Sequence, residues 1–436
     1  MAKKIAIIGA GSAYAPGLIN AFIQQADTFA GFELALMDIA AQELEIVAQL
    51  AQKMVKAAKV DLNITQSTQQ QAAISEAAYV LTTFRQGGFE ARHQDESIPL
   101  EFNRIGQETI GAGGFFFAMR TLPVIQSILK DIQETAPEAV LVNYTNPTQI
   151  VAEAVTHFSD VPCISICDQT KGDQESVLEA MSMTGVNVEL ESIGLNHATW
   201  STRFSIEGED GVQVMVRHLD EVLARPDISE RVKRQFLLTK EFGHLPNSYL
   251  QYYYYPEETV EEAIAAPQTR AQTIMDSLPS YYEHFKEQIA AETPHLTHVR
   301  GGSLFGDMAV EVISGLVKND GSIHTLNIPN RGALPDFESD RIVEVPARLE
   351  KRSATPLVQD ALPKEVVGLL RMLAAYQWLA ADAIWNGDRK AIEHALASNP
   401  LVLSLSLAKQ LLNAIIPLQK IYYSADLIER LGEDPV

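Results

Sequence analysis

The chain has 436 residues, of which 46% are hydrophobic and 21% are charged, and its formal net charge at pH 7 is −22. This length predicts two domains or one large α/β unit with a substantial appendage, and the composition predicts a globular protein. The negative charge argues against nucleic acid and anionic membranes as partners, and no apolar run approaches the roughly 20 residues that span a bilayer. The two cysteines provide no disulfide framework, which favours a cytoplasmic location.

The N-terminal segment predicts a nucleotide-binding turn. Residues 4–8, KIAII, read as a parallel strand buried on both faces, and the glycine-containing GAGSAYAP leads into the helix-compatible GLINAFIQQA. Gly9 and Gly11 supply the first two glycines of a dinucleotide fingerprint, and we expect them to bind the cofactor together with Ser12. Tyr14 takes the position of the usual third glycine, so the motif alone is a weak signal.

The second apolar run, FELALMDI, ends near an acidic residue, Asp38. A carboxylate at the end of this strand can accept hydrogen bonds from a ribose 2′-OH and disfavours a 2′-phosphate. Asp38 therefore predicts NAD rather than NADP as the cofactor. The alternative is an ordinary glycine turn followed by a surface aspartate.

Three later apolar runs also end in polar side chains. AAYVLTTFRQGG brings Arg85 to the end of a strand, AVLVNYTNPTQIVAEAV brings Asn146, and VPCISICDQTKG brings Cys167 and Asp168. Ligands of doubly wound sheets bind beyond the carboxyl ends of the strands. We therefore expect these four side chains to meet at one edge of a parallel sheet.

The stretch IGLNHATW places His197 after another apolar run, downstream of Cys167. A thiolate and an imidazole are good ligands for a first-row divalent metal, and two protein ligands leave open positions that suit a catalytic metal. The alternatives stay open at this point, because a single histidine is often structural and a single cysteine is often a small buried apolar residue.

A tyrosine cluster follows in HLPNSYLQYYYYPEETV, comprising Tyr249, Tyr252, Tyr253, Tyr254 and Tyr255. A tyrosine can act as a base only where its pKa is lowered, for which a nearby metal or arginine is the natural cause. Packing is the alternative for each member of the cluster.

Stretches along most of the chain resemble glycoside hydrolase family 4, the glycosidases that depend on NAD and a divalent metal. The stretches are GAGSAYAPGL, FRQGGFEARHQDESIPL, GQETIGAGG, NYTNPTQIVAEA, ICDQTKG, GLNHATW, LPNSYLQYYYYP, RGGSLFGDMAV and LNIPNRGALPDFESDRIVEVP. The resemblance implies an α/β fold with a Rossmann-type NAD domain, similar to that of lactate and malate dehydrogenases, over residues 1–195. Residues 196–436 would form a C-terminal α+β catalytic domain that carries the substrate and metal sites.

The resemblance also implies roles for single residues. Cys167 and His197 match the family's metal ligands, usually for Mn²⁺, and Tyr249 matches its base. The positions that it implies for substrate binding are Arg85, Asn146, Asn196 and Arg270, with Asn146 also next to the cofactor.

The implied chemistry is an elimination rather than a displacement by two carboxylates. C3 of the sugar is oxidised by NAD⁺, Tyr249 removes the C2 proton, and the metal stabilises the enediolate. Asp168 protonates the leaving oxygen, water adds, and C3 is reduced again, so that NAD is regenerated in each turnover.

The substrate implied by the resemblance is a sugar phosphate. The Cys167–Asp168 pair resembles the Cys-Asp-Met-Pro motif of 6-phospho-α-glucosidases, which act on substrates such as maltose 6′-phosphate, although Gln169 and Thr170 depart from it. RGGSLFGDMAV looks more like the β-type enzymes. A 6-phospho-β-glucosidase is therefore an alternative. Two further alternatives are a plain NAD-dependent 2-hydroxy acid dehydrogenase, which would share the nucleotide-binding turn, and an inactive NAD- or sugar-binding protein. A homodimer or homotetramer is expected.

Overall fold

The computed structural model describes residues 3–301 and 306–433. Four residues of the RGGSLFGDMAV stretch, 302–305, lie outside the described part of the chain. Nothing in the structure therefore bears on that portion of the motif.

The strands of the described chain form one twelve-stranded sheet. In chain order they are β1 Lys4–Ile8, β2 Phe32–Met37, β3 Leu62–Ser67, β4 Tyr79–Thr82, β5 Val140–Asn143, β6 Cys163–Ser165, β7 Val188–Leu195, β8 Ala198–Ile206, β9 Glu209–Asp210, β10 Ile323–Pro329, β11 Ile342–Glu350 and β12 Ser353–Pro356.

The helices surround this sheet. Those of the first half are α1 Ala15–Gln24, α2 Ala41–Ala58, α3 Gln70–Ile74, α4 Gly88–Glu101, α5 Gly111–Thr135, α6 Thr148–Phe158, α7 Gln169–Ala180 and α8 Gly211–Ala224. Those of the second half are α9 Glu230–Phe242, α10 Gln251–Tyr254, α11 Pro256–Ala265, α12 Arg270–Ala290, α13 Asp307–Lys318, α14 Lys364–Asn386, α15 Arg389–Ala397, α16 Leu405–Gln419 and α17 Ala425–Leu431. Two short 3-10 turns, Ser248–Leu250 and Lys420–Tyr422, complete the list.

The first six strands form the predicted doubly wound sheet. Their order is β3-β2-β1-β4-β5-β6, and every neighbouring pair among them is parallel. The short apolar strands are buried on both faces, as Ile5, Ala6 and Ile7 of β1 illustrate with no exposed surface. The Rossmann-type fold predicted for this part of the chain is confirmed.

The second part of the chain extends the same sheet in antiparallel fashion. Strand β10 pairs with β6, and the order continues through β11, β7, β8 and β9, with β12 beside β11. The domain boundary predicted at residue 195 falls in the turn between β7 and β8, which form an antiparallel hairpin. Because the sheet is continuous, residues on both sides of that position can contribute to one site.

Two long helices lie in the protein core. Helix α5 is the one helix of the described chain whose length and composition would allow a membrane crossing, but 78% of its apolar window is buried inside the protein. It packs with α14, whose Tyr376, Ala380 and Ile384 belong to the same buried cluster. Helix α5 therefore has the burial of a core helix.

Candidate active site

A cavity of about 790 Å³ lies beyond the carboxyl ends of the parallel strands. Its walls include residues that directly follow β1, β2, β5 and β6. Of the site residues predicted from the sequence, those that line it are Gly9, Gly11, Ser12, Asp38, Arg85, Asn146, Cys167, Asp168, His197 and Tyr249. The four side chains expected to meet at one edge of the sheet, those of Arg85, Asn146, Cys167 and Asp168, all line this cavity.

The turn after β1 is built for close backbone approach. Gly9 has a φ of +98°, and a Cβ there would lie 2.6 Å from the Cα of Phe84. Gly11 donates its N–H to Oδ2 of Asp38 at 2.8 Å, and a Cβ on Gly11 would lie 2.9 Å from the Asp38 carboxyl carbon. Only glycine fits at these two positions. The backbone therefore leaves room for a pyrophosphate at the start of α1.

The carboxylate of Asp38 is held at the end of β2. Its Oδ1 accepts a hydrogen bond from the N–H of Ala40 at 3.0 Å, opposite the bond from Gly11. Burial raises the pKa of Asp38, and these backbone bonds oppose the rise. The geometry fits recognition of a ribose hydroxyl by the remaining acceptor capacity of the carboxylate.

Cys167 and His197 lie side by side in the wall of the cavity. Sγ of Cys167 lies 3.4 Å from Nε2 of His197. Two ligands of one first-row cation, each about 2.0–2.3 Å from it, lie roughly 3–3.6 Å apart. The described chain contains no group of three or more His, Cys, Asp or Glu side chains that could hold a metal. The Cys167–His197 distance fits two ligands of one divalent cation, and a cation held by two protein ligands keeps coordination positions open.

The protonation of this pair supports the same fit. Burial, reinforced by Glu344 and Asp168, raises the pKa of the Cys167 thiol well above its ordinary value, so ionisation of the thiol needs a cation. Burial lowers the pKa of His197 to about 4, which keeps the imidazole neutral at physiological pH. A neutral imidazole has the free lone pair that metal binding requires.

Gln107 and Thr109 orient the imidazole of His197 through a chain of hydrogen bonds that ends at Nδ1. Oε1 of Gln107 accepts hydrogen bonds from the N–H of Thr109 at 2.6 Å and from its hydroxyl at 2.9 Å. Because the Thr109 hydroxyl donates to Gln107, its oxygen is left to accept from Nδ1 of His197, 3.2 Å away. This assigns the proton to Nδ1 and directs the lone pair of Nε2 towards Cys167.

The ring of Tyr249 packs against a face of the same imidazole. The two rings are stacked, with centroids 4.1 Å apart and an interplanar angle of 16°. Nε2 of Gln107 donates to the phenol oxygen of Tyr249 at 3.4 Å. Burial, and then the negative charge of Glu108, raises the pKa of Tyr249. The phenol can therefore act as a base only when a nearby positive charge lowers its pKa.

The remaining tyrosines of the cluster do not line the cavity within the described chain. Tyr252 meets the ring of Tyr249 edge-on, with centroids 5.8 Å apart. Tyr253 and Tyr254 pack against a buried cluster that contains Trp200. The position of Tyr249 distinguishes it from its neighbours as the candidate base.

A cluster of three arginines lines the cavity: Arg85, Arg92 and Arg300. Arg85 and Arg92 both pair with Glu108, at 2.5 and 3.0 Å. Burial raises the pKa of Glu108, but the two arginines outweigh it and hold that pKa below its ordinary value. The guanidinium of Arg300 lies over the ring of Tyr14 at 4.2 Å. This cluster brings positive charge to a strongly acidic protein and suits an anionic group.

Asp168 occupies the N-cap position of α7, although its side chain makes no capping hydrogen bond, and it lies beside Tyr144. The Tyr144 hydroxyl hydrogen-bonds to the Asp168 carboxylate, and burial together with that carboxylate raises the pKa of Tyr144 well above its ordinary value. Both side chains line the cavity. Asp168 therefore has a polar partner while remaining accessible to a ligand.

Two predicted substrate-binding residues lie elsewhere. Asn196 is buried next to the Cys167–His197 pair. Its Nδ2 donates to Oε2 of Glu344 at 3.0 Å, and its side chain also hydrogen-bonds to Cys167. It lines a separate small cavity of about 20 Å³. Arg270 is exposed in the first turn of α12 and lines neither cavity. A direct role for these two residues in substrate binding stays a prediction.

Several residues of the site were not identified from the sequence. Gln107 and Glu108 lie in GQETIGAGG, Arg92 lies in FRQGGFEARHQDESIPL, and Arg300 begins RGGSLFGDMAV. All four belong to stretches that carry the resemblance, which is the one signal that could have indicated them. Tyr144 likewise lies in NYTNPTQIVAEA.

Comparison with protein families identifies the class. The model for family 4 glycosyl hydrolases matches residues 4–183, and the model for the C-terminal domain of that family matches residues 192–402. The chain belongs to the family 4 glycosyl hydrolases.

Individual relatives share nearly the whole chain. A probable 6-phospho-beta-glucosidase of Bacillus subtilis is 33% identical over 429 residues, which cover 96% of this chain and 97% of the relative. A solved 6-phospho-alpha-glucosidase from gut microorganisms, in complex with NAD and Mn²⁺, superposes with a TM-score of 0.87 at 25% identity and covers 97% of this chain and 99% of its own.

A third similar protein is the 6-phospho-beta glucosidase of Thermotoga maritima, solved with manganese, NAD⁺ and glucose-6-phosphate. It superposes with a TM-score of 0.84 at 26% identity and covers 97% of this chain and 99% of its own. The similar proteins thus include both α- and β-specific 6-phosphoglucosidases.

Proposed function

We propose that this chain is a 6-phosphoglucosidase that uses NAD⁺ and Mn²⁺ and acts on 6-phospho-α-glucosides such as maltose 6′-phosphate. The observation that carries the proposal is that all the features of the site line one cavity of about 790 Å³. One wall holds the dinucleotide turn, another holds the Cys167–His197 pair, and the arginine cluster and Tyr249 complete it. A plain hydrolase with two carboxylates has no use for the first two of these features.

The residues assign a place to each cofactor. Gly9, Gly11 and Asp38 would hold NAD, and Cys167 and His197 would hold Mn²⁺. When bound, NAD supplies a reversible hydride acceptor for C3 of the sugar and Mn²⁺ supplies a Lewis acid. Solved structures of similar enzymes that contain these two groups support the assignment.

The proton transfers fall to two cavity-lining side chains, one stacked on His197 and the other next to Cys167 in the chain. Tyr249, stacked on His197, removes the proton from C2, and its high pKa explains why a cation beside it is required. Asp168, at the start of α7, gives a proton to the leaving oxygen. Because the bond at C1 breaks by elimination, neither residue needs to attack the sugar.

The phosphate is assigned to the arginine cluster. Each charge-assisted hydrogen bond to a phosphate contributes roughly 1.5–3 kcal/mol. Arg85 and Arg92 pair with Glu108, and Arg92 also pairs with Glu96, so three arginines against two carboxylates leave a net positive charge for a ligand. This local charge overcomes the unfavourable field of a protein with a net charge of −22.

The α preference rests on the Cys167–Asp168 pair, which provides a carboxylic acid for a poor leaving group. A 6-phospho-β-glucosidase is the second candidate, and the 33% identity with the Bacillus subtilis relative favours it. The cytoplasmic location and the homodimeric or homotetrameric state also stay predictions.

Activity on matched substrates tests the proposal. Nitrophenyl α- and β-glucosides, each with and without a 6-phosphate, would be incubated with the enzyme, NAD⁺, Mn²⁺ and a thiol reductant. We expect cleavage of the phosphorylated α-glucoside, no cleavage when either cofactor is omitted, and no net accumulation of NADH. Cleavage of the β-glucoside alone would assign the second candidate. Equal kcat/KM for phosphorylated and plain glucosides would contradict the proposed substrate class.

A further inference from the structure

A buried carboxylate lies behind the cavity, on the helix that follows Cys167 and Asp168. Asp173 occupies the second turn of α7 and is 3% exposed. Its Oδ1 accepts a hydrogen bond from Nε2 of Gln169 at 2.7 Å, within the same helix. Its Oδ2 accepts a hydrogen bond from the backbone N–H of Ser248 at 2.8 Å. Asp173 thus joins α7 to a segment that is 75 residues away in the chain.

The segment that Asp173 holds is the one that carries the candidate base. Ser248 directly precedes Tyr249 and is 1% exposed, and its Oγ accepts a second bond from Gln169 at 3.3 Å. On the other side, the N–H of Asn247 donates to the carbonyl of Thr199 at 2.8 Å. The residues before Tyr249 are therefore held between α7 and β8, the two elements that follow Cys167 and His197.

Gln169, which stands where the Cys-Asp-Met-Pro pattern has methionine, takes part in this arrangement. The Gln169 amide donates to both Asp173 and Ser248. Burial raises the pKa of Asp173, and the bonds from Ser248 and Gln169 oppose the rise. A buried carboxylate is costly unless its oxygens are bonded, and both oxygens here are bonded to groups around the site.

We propose that Asp173 is a positioning residue that sets Tyr249 relative to the Cys167–Asp168 segment. The inference rests on the proposed function, in which Tyr249 removes the C2 proton while Asp168 acts on the leaving oxygen of the same sugar. Both groups must meet one substrate, and a misplacement of about 1 Å in such a pair costs roughly 100-fold in rate. The backbone bond from Ser248 to Asp173 is the direct link between the two segments.

Steady-state kinetics of Asp173→Ala, Asp173→Asn and a control variant test the proposal. The control is Asp210→Ala, because the exposed Asp210 carboxylate also accepts a backbone N–H, that of Gln213 at 3.1 Å, and neither residue lines the cavity. Each enzyme would be assayed with NAD⁺, Mn²⁺ and nitrophenyl 6-phosphoglucoside carrying hydrogen or deuterium at C2.

We expect Asp173→Ala to lower kcat about 10- to 100-fold. KM and the affinities for NAD⁺ and Mn²⁺ should change by less than about threefold, and the C2 deuterium isotope effect on kcat should rise because proton removal becomes slower. The kcat of Asp173→Asn should stay within about threefold of wild type. The new amide oxygen can still accept from the N–H of Ser248, and the amide of Gln169 can rotate so that its oxygen accepts from the new NH₂ group. Asp210→Ala should match wild type.

Other results overturn the inference. An Asp173→Ala enzyme as fast as the control, or an Asn variant no better than Ala, would show that Asp173 does not position the base. If Asp173→Ala fails to fold, Gln169→Leu supplies the test, because it removes both Gln169 bonds at a partly exposed site. Gln169→Leu should lower kcat several-fold and raise the isotope effect, and wild-type values for both would contradict the proposal.

The positioning role and the proposed chemistry can fail separately. A wild-type enzyme with no C2 isotope effect and full retention of the C2 label, in which Asp173→Ala is still slow and Asp173→Asn is still rescued, would overturn the elimination route and keep the positioning role. A wild-type enzyme that exchanges the C2 label, with Asp173→Ala unchanged, would keep the elimination route and overturn the positioning role.

Discussion

The ring of Tyr249 lies parallel to the imidazole of His197, with centroids 4.1 Å apart. Nε2 of that imidazole in turn lies 3.4 Å from Sγ of Cys167. The candidate base and the candidate metal ligands therefore form one packed unit inside the cavity. Changes to one member of this unit should be measurable in the behaviour of the others.

Replacing Cys167 with serine should strongly weaken metal binding. The substitution exchanges a thiolate for a neutral hydroxyl of similar size, and we expect the affinity for Mn²⁺ and kcat to fall by more than about 100-fold while the thermal midpoint stays close to wild type. Calorimetric titration with Mn²⁺ measures the first effect. Cys163→Ser is the matched control, because Cys163 is a free, partly buried cysteine that does not line the cavity. Full activity of wild-type protein in the presence of EDTA would contradict the metal assignment.

Thr109 should control the orientation of His197. Thr109→Val keeps the shape of the side chain but removes the oxygen that accepts from Nδ1 of His197. Loss of such a partner typically weakens metal affinity 10- to 100-fold, and we expect a loss in that range for Mn²⁺. Thr109→Ser retains the hydroxyl and should bind Mn²⁺ within about threefold of wild type. Equal affinities for the Val and Ser variants would show that the hydrogen bond does not orient the imidazole.

The arginine cluster should govern recognition of the phosphate. Arg85→Gln and Arg300→Gln each remove one positive charge from the cavity wall, and each should raise KM for the 6-phosphoglucoside about tenfold or more. The effect should be much smaller for the plain glucoside, whose kcat/KM is expected to be very low in wild type. Arg217→Gln is the control, because Arg217 forms an exposed ion pair with Glu209 outside the cavity. Equal losses on both substrates would argue against a phosphate site.

Glu153 should make stability depend on pH. Burial raises the pKa of Glu153 from 4.5 to about 8, so the folded protein holds a proton that the unfolded chain releases above about pH 4.5. The stabilisation from this protonated state is fully present below about pH 4.5 and is lost as the pH rises through about 8. Glu153→Gln keeps an oxygen that accepts from the N–H of Ile342, 3.0 Å away in wild type, and cannot ionise.

Urea unfolding at pH 5 and pH 8.5 measures this effect. The free energy of unfolding of Glu153→Gln minus that of wild type should be larger at pH 8.5 than at pH 5. The two values of this difference should be apart by an amount on the order of a few kcal/mol. Glu138→Gln is the control, because the Glu138 side chain is 85% exposed. The same stability difference for Glu153→Gln at both pH values would mean that Glu153 is already ionised in the folded protein.

The local motifs of the site could be predicted from the sequence. Gly9, Gly11 and Asp38 could be identified because a parallel strand, a turn and a second strand determine their geometry over short distances. The convergence of Cys167 and Asp168 with Arg85 followed from the rule that strand ends of a doubly wound sheet meet at one edge.

The long-range contacts could not be predicted in this way. Glu108 lies in the loop before α5, and its pairing with Arg85 and Arg92 depends on how α4 and α5 pack. The hydrogen bond from the N–H of Ser248 to the carboxylate of Asp173 depends on the path of the chain around β8. Periodicity reports which face of an element is buried, but it does not report which element lies against that face. For the same reason, the sequence did not indicate that Arg270, which was predicted to bind substrate, lies at an exposed position at the start of α12.

The central claim is that Tyr249 removes the C2 proton before the bond at C1 breaks, and the fate of a C2 deuterium label tests it most directly. The labelled 6-phosphoglucoside would be turned over in ordinary water with NAD⁺ and Mn²⁺, and the glucose 6-phosphate product would be analysed by mass spectrometry. We expect the label to be replaced by solvent hydrogen, and Tyr249→Phe to abolish cleavage while both cofactors still bind. Complete retention of deuterium at C2 would contradict the elimination mechanism, and near-normal turnover by Tyr249→Phe would contradict the assignment of this residue as the base.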